Sequence, residues 1–320
     1  MVGKAARNFF ADECWDRAAG LTFFGVLSIP PLAIALVTLL VLLGQGDAGT
    51  QAVLDILNQL TPDDEALESL TAPVLAVLSR PAGGITVVVG VATGLWLASG
   101  YVGAFGRSMN QIYGVDEGRP FVRLIGWHLL TTVMLVIFGI LVALMLVVSG
   151  PVTHAIGSAL DLGDTVVVIW ETAKWPVLLL AAVLVIAVLY YATPNVAHAR
   201  FRWISPGAVV ALAVAAAASY GFRLYVSLFG QFDITYGSAL AGIVVFFVWL
   251  WIINMSLLFG AELDAELERA RQLVAGVRAE HGIQVPPRDT RASAKAEARR
   301  AADAERSRSL RASHGWGEGE

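Results

Sequence analysis

The sequence is short of charge. Only 15% of its 320 residues are Asp, Glu, Lys or Arg, against about 25% in an ordinary soluble domain. Apolar residues make up 57%, and the mean hydropathy is +0.67. So much apolar surface does not fit inside one soluble core, which argues against a soluble globular enzyme. The same numbers argue against disorder over most of the chain. Cysteine is nearly absent: Cys14 stands alone, so neither a disulfide framework nor a cysteine-rich metal site can be built. The five histidines, at 128, 154, 198, 281 and 314, are scattered singly. No GxSxG, HExxH or Gly-Lys-Ser/Thr motif is found, which leaves out the common serine-hydrolase, zinc-protease and phosphate-loop signatures. The sequence therefore nominates no catalytic residue, no metal ligand and no cofactor.

Charge is missing in blocks. Six runs contain no Asp, Glu, Lys or Arg: 18–46, 81–106, 124–160, 175–199, 203–222 and 234–261. Each reaches the roughly 20 residues that an α-helix needs to cross a hydrocarbon core. In lipid a segment must satisfy its own backbone hydrogen bonds, so continuous apolar runs of this length read as helices. The expected fold is an all-α integral membrane protein with six transmembrane helices. The spans fall at about 20–43, 84–106, 126–150, 175–193, 206–228 and 238–261. The first run is too long for a signal-peptide core and is read as a retained helix. Pro30 and Pro31 fall inside it and predict a kink. Pro194 is expected to end the fourth span and Pro151 the third. Ser205-Pro206 reads as an N-cap followed by proline at the first helical position of the fifth.

What charge there is lies unevenly. Lys4, Arg7, Arg17, Arg107, Arg119, Arg123, Arg200, Arg202 and eleven residues beyond 261 fall on one side of the six spans. Only Arg80, Lys174 and Arg223 fall on the other. The positive-inside rule then places both termini in the cytoplasm. The external connection 47–80 is acidic. Val53, Ile56, Leu57 and Leu60 mark a short amphipathic helix there, with another over 64–79. These helices lie over the bundle as a lid or on the membrane surface. Residues 1–17 form a cytoplasmic arm, and 262–285 a helical extension of the sixth span ending at Pro286-Pro287. Residues 286–320 are expected to be disordered, or weakly helical over 291–312.

Four stretches carry a resemblance. They are AAGLTFFGVLSIPPL from Ala18, LWLASGYVGAFGRSMNQIYGV from Leu95, YYATPNVAHARFRWISP from Tyr190, and YGSALAGIVVFFVWLWIINMSLLFGAELDAE from Tyr236. In order and spacing they resemble the YihY/BrkB family of bacterial inner-membrane proteins, over roughly residues 5–270. The resemblance implies six helices, cytoplasmic termini and residence in the inner membrane. It also brings the labels virulence factor and ribonuclease and an association with envelope lipid movement. A metal-dependent ribonuclease needs a dense His/Asp cluster, which this sequence does not offer.

Candidate lipid- or substrate-binding residues are Arg223 with Tyr220, Ser219 and Ser227 beside it, Asn254, Asn110, Arg200 and Arg202. Arg223 lies about 26 Å up its helix from Pro206 at 1.5 Å per residue. It either snorkels to the outer interface or faces an internal cavity. Asn254 and Ser256 bond between helices or touch substrate. Ser108, Asn110 and Gln111 would form a polar cytoplasmic mouth, and His198, Arg200 and Arg202 a basic turn suited to lipid phosphate. Structural or gating candidates are Pro30, Pro31, the GxxxG pair Gly90 and Gly94, Gly100 and Gly103 of an i+3 series ending at Gly106, Pro194, and Glu262 beside Asp264.

Three functions follow from these features: a lipid or amphiphile translocator, a membrane scaffold for envelope partners, and an intramembrane enzyme. The last needs Glu262, Asp264 and His198 to meet in one cavity. Partners read from sequence are membrane lipids, a second copy of the chain through the glycine face, and an envelope protein. No nucleic-acid module is present.

Overall fold

The computed structural model describes residues 1–42, 84–147, 164–197, 205–229 and 238–313. Among them are eight α-helices and no β-strand: α1 (Val2–Ala11), α2 (Cys14–Leu42), α3 (Gly84–Ile112), α4 (Phe121–Val147), α5 (Asp164–Ala192), α6 (Pro206–Phe229), α7 (Ser238–Val274) and α8 (Arg291–Ser313). Five of them, α3 to α7, are long and apolar enough to cross a membrane. Helix α2 runs without interruption through Pro30 and Pro31. The external helices expected over 47–80, together with His154, His198, Arg200 and Arg202, lie outside the described residues.

The helix boundaries have local causes. Helix α3 ends at Gly114, in the left-handed region at φ 63°, with Val115 N–H donating back to Asn110 O at 2.9 Å. Helix α7 ends the same way: Gly276 has φ 81°, and Val277 N–H bonds Gln272 O at 2.9 Å. A glycine in this conformation turns the chain out of the helix and pairs its last carbonyls. The cytoplasmic extension expected over 262–285 therefore stops at Val274, and the proline pair is not its terminator. Helix α6 starts as its sequence predicts, with Ser205 Oγ accepting from Ala208 N–H at 3.0 Å and Pro206 in the first turn. Helix α5 begins at Asp164, eleven residues before the expected span, and carries Pro176 inside it. Lys174, assigned from sequence to an external connection, is consequently a buried helical residue with its Nζ 5.8 Å from the centroid of Trp175.

The core sits where α2, α3 and α7 meet. Leu21, Phe105, Met109 and Leu258 are among its fully buried side chains. Glycines let the helices approach. A Cβ on Gly100 would meet Phe24 of α2 at 2.9 Å, one on Gly103 would meet His128 of α4 at 3.1 Å, and one on Gly106 would meet Thr193 O at 3.1 Å. The i+3 glycine series thus receives one neighbour per turn. In the GxxxG pair Gly94 is buried, whereas a Cβ on Gly90 would meet only open space.

Of the two expectations for the tail, disorder or a weak helix over 291–312, the structure has a helix at Arg291–Ser313. After α7 the chain folds back: Gln272 and Gln284 exchange two hydrogen bonds, and Val196 pairs with Pro287 in an isolated bridge. Helix α8 then stands clear, with no buried residue. Its Arg, Ala and Glu residues are good helix formers with nothing apolar to bury.

Candidate functional site

Two helices frame the site. Where α6 begins, α6 and α7 are in backbone contact: a Cβ on Gly207 would lie 2.1 Å from Gly260 O, and one on Gly260 would lie 2.4 Å from Gly207 O. No side chain fits between them. Asp264 closes the crossing by accepting the Gly207 N–H at 2.7 Å. A carboxylate there also complements the positive N-terminal end of α6.

Farther up the same pair a lateral groove of about 510 Å³ opens, lined chiefly by apolar side chains. Phe222, Val226, Val245, Phe246 and Trp249 form its walls, with Arg223, Ser219 and Ser227 as its polar members. Trp249 Nε1 donates to Ser219 Oγ at 3.0 Å across the two helices. Arg223 is exposed and borders this groove. Tyr220, expected to join it, is 64% exposed and is not among the lining residues.

The other sequence candidates divide. Asn254 is buried, and its Oδ1 accepts from Tyr101 Oη at 2.8 Å while its Nδ2 donates to Thr22 Oγ1 at 3.1 Å. It ties α2, α3 and α7 together and does not face the groove. Ser108 and Asn110 are buried too, whereas Gln111, the third member of the expected polar mouth, is exposed and lines a cavity. Asn110 donates to Glu117 at 3.0 Å and accepts from Asn195 N–H at 2.7 Å. Glu262 is 1% exposed and receives Cys14 Sγ at 3.6 Å. Burial, with the Glu262 charge beside it, pushes the Cys14 thiol above its ordinary value. Glu262 and Asp264 thus engage opposite partners, α2 and α6.

A polar lattice around Asn195, Arg119 and Asp289 was not foreseen from sequence. Asn195 brackets Asp289, its Nδ2 donating to Asp289 O at 2.8 Å and its Oδ1 accepting from Asp289 N–H at 3.1 Å. Arg291 and Arg123 reach the Asp289 carboxylate at 2.6 and 3.2 Å. Hydrogen bonding by Arg291 holds that carboxyl below its ordinary 3.8. Arg119 grips Glu117 through Nε and Nη2, each at 2.7 Å. Burial alone would raise the Glu117 carboxyl, but the bonds and charge of Arg119 outweigh it and lower it. Beside the lattice, a second cavity of about 560 Å³ is lined by Tyr113, Tyr190, Asp264 and Glu268 and walled by Gln284 to Pro286. Among the described residues no group of three or more His, Cys, Asp or Glu is placed to hold a metal ion.

The sequence model of the family described as virulence factor BrkB matches residues 5–282. The chain belongs to the BrkB family. The chain is similar to the ribonuclease-like protein YfkH of Bacillus subtilis, 32% identical over 82% of this chain and 92% of that protein. A UPF0761 membrane protein of Xanthomonas campestris is 25% identical over 87% of this chain and 63% of its own length. Another, from Halorhodospira halophila, is 26% identical over 83% of this chain and 56% of its own. The chain thus spans nearly all of the Bacillus protein but less than two thirds of the other two. No solved structure matches. The match with the BrkB family ends before Asp289 and α8, which lie beyond it.

Proposed function

We propose that this chain is a six-span protein of the bacterial inner membrane, with both termini in the cytoplasm, that holds and moves a lipid or another amphipathic envelope molecule. The observation that carries this reading is the lateral groove between α6 and α7. Its apolar walls suit acyl chains, and Arg223 at its edge suits an anionic head. Arg223 lies about 26 Å from the start of α6, at the height of the opposite leaflet's interface. The charge distribution of the sequence supports the orientation.

Native mass spectrometry of the full chain, wild type beside Arg223→Ala, tests this. The expected result is a lipid class retained by wild type and lost from the variant. Equal retention by both, or none by either, would sink it. A second reading is a non-catalytic scaffold docking envelope-biogenesis proteins. It is favoured by α8, a charged helix with no buried residue. A stoichiometric protein companion lost on deleting 291–320 would support that reading instead.

A further inference from the structure

One buried side-chain nitrogen or oxygen among the described residues has no hydrogen-bond partner: Nη1 of Arg119. The Arg119 side chain is 6% exposed. Its Nε and Nη2 are spent on Glu117, and Nη2 also donates to Thr193 O at 2.8 Å. A guanidinium is planar and rigid, so the two N–H bonds of Nη1 point away from the edge that Glu117 occupies. An orphan donor on a charged group calls for an acceptor.

More positive charge gathers around it. The His128 imidazole is first of all half-buried, and the charges of Arg119 and Arg107 reach it as well, with the Glu117 charge working the other way. A Cβ on Gly103 would sit 3.1 Å from His128 Nδ1 and 3.5 Å from Arg107 Nη1, so ring and guanidinium meet over a bare glycine. Arg288 also interacts electrostatically with Arg119. Against these cations stands Glu117, whose oxygens already take Arg119 and Asn110. The chain as a whole carries −4, so this corner runs against its average. The uncharged run of α3 ends at Gly106 and that of α4 starts at Leu124. That level is where headgroups meet water.

We propose that Arg119, Arg107 and His128 form a phosphate site on the cytoplasmic face, taking the phosphate of an anionic lipid or free phosphate. Phosphate fits better than a carboxylate because it offers several acceptor oxygens to donors arriving from α3, α4 and the connection between them. The site is independent of the Arg223 groove, which lies at the far end of α6.

The test uses the full chain with Arg223→Ala, so that the groove does not contribute. Mixed micelles carry phosphatidylglycerol or an uncharged diglucosyl lipid, and native mass spectrometry counts retained lipid. Separately, inorganic phosphate is titrated while thermal unfolding is followed. The expected result is preferential retention of phosphatidylglycerol. Adding Arg107→Gln and His128→Gln, both at least partly exposed positions, lowers retention about tenfold, the factor that corresponds to about 1.4 kcal/mol. Arg119→Lys, which keeps a charge opposite Glu117 but removes Nη1, does the same. If Arg119→Lys fails to fold, the double variant carries the test. A phosphate-dependent rise in melting temperature without lipid selectivity would assign the site to free phosphate. Equal retention of the two lipids with no response to phosphate would overturn the proposal. So would a double variant that binds as well as its parent, which would leave Nη1 to water alone.

Discussion

Asn254 spends its Oδ1 on Tyr101 and donates to Thr22 from Nδ2, three helices meeting at one amide. In the apolar interior such bonds are worth about 0.6 to 2 kcal/mol. Asn254→Ala is expected to lower unfolding stability by that order, measured by denaturation in mixed micelles. Tyr101→Phe on that background should cost little more, because its partner is already gone. Asp289 gives a pH prediction. Its folded carboxyl is held below the ordinary 3.8 by Arg291 and Arg123. A depressed carboxyl stabilises above its unfolded value and loses that contribution as pH falls through the folded one. Docking of the segment around 289 should be flat from pH 5 to 8 and loosen below about pH 4, read by protease cleavage near Arg288. Asn254 was legible from sequence as a polar residue in an apolar span. Arg119 was not: counting it as a topology marker hid its burial and its bonds to Glu117 and Thr193.

At the scale of elements, the glycine contacts make the sharpest predictions. A Cβ on Gly118 would lie 1.8 Å from Asp289 O, backbone against backbone. Gly118→Ala should release the segment 286–291 while leaving the spans folded, seen as faster hydrogen exchange confined to that segment and the turn near Asn195. Gly260→Ala strikes the α6–α7 crossing, where Gly207 O, Ala211 Cβ and Tyr190 Oη would all lie within 2.6 Å of the new atom. Overpacking of this kind costs about 1 to 3 kcal/mol, and the yield of folded protein should fall accordingly. Apolar runs located α3 to α7 because length and charge depletion are one-dimensional properties. The end of α7 was missed because a left-handed glycine at 276 outranked a proline pair ten residues later. The helix over 291–313 was only an alternative to disorder, since composition without an apolar face leaves helix and coil close in free energy.

For the whole molecule, membrane character was plain in the composition and the family in four short motifs. The groove was not. A lone Arg223 in sequence suits a snorkelling residue as well as a cavity wall, and only the placement of α6 against α7 puts Val245, Phe246 and Trp249 opposite it. The two helices are locked to each other at Gly207 and Gly260, with Asp264 as the bolt. Any relative motion of the two helices would have to pivot there. With an arm of about 26 Å, a swing of about 10° at the junction shifts the far tips by about 4.5 Å, close to half the width of a helix. A disturbance too small to break a contact at the junction would then be magnified at the groove that Arg223 borders.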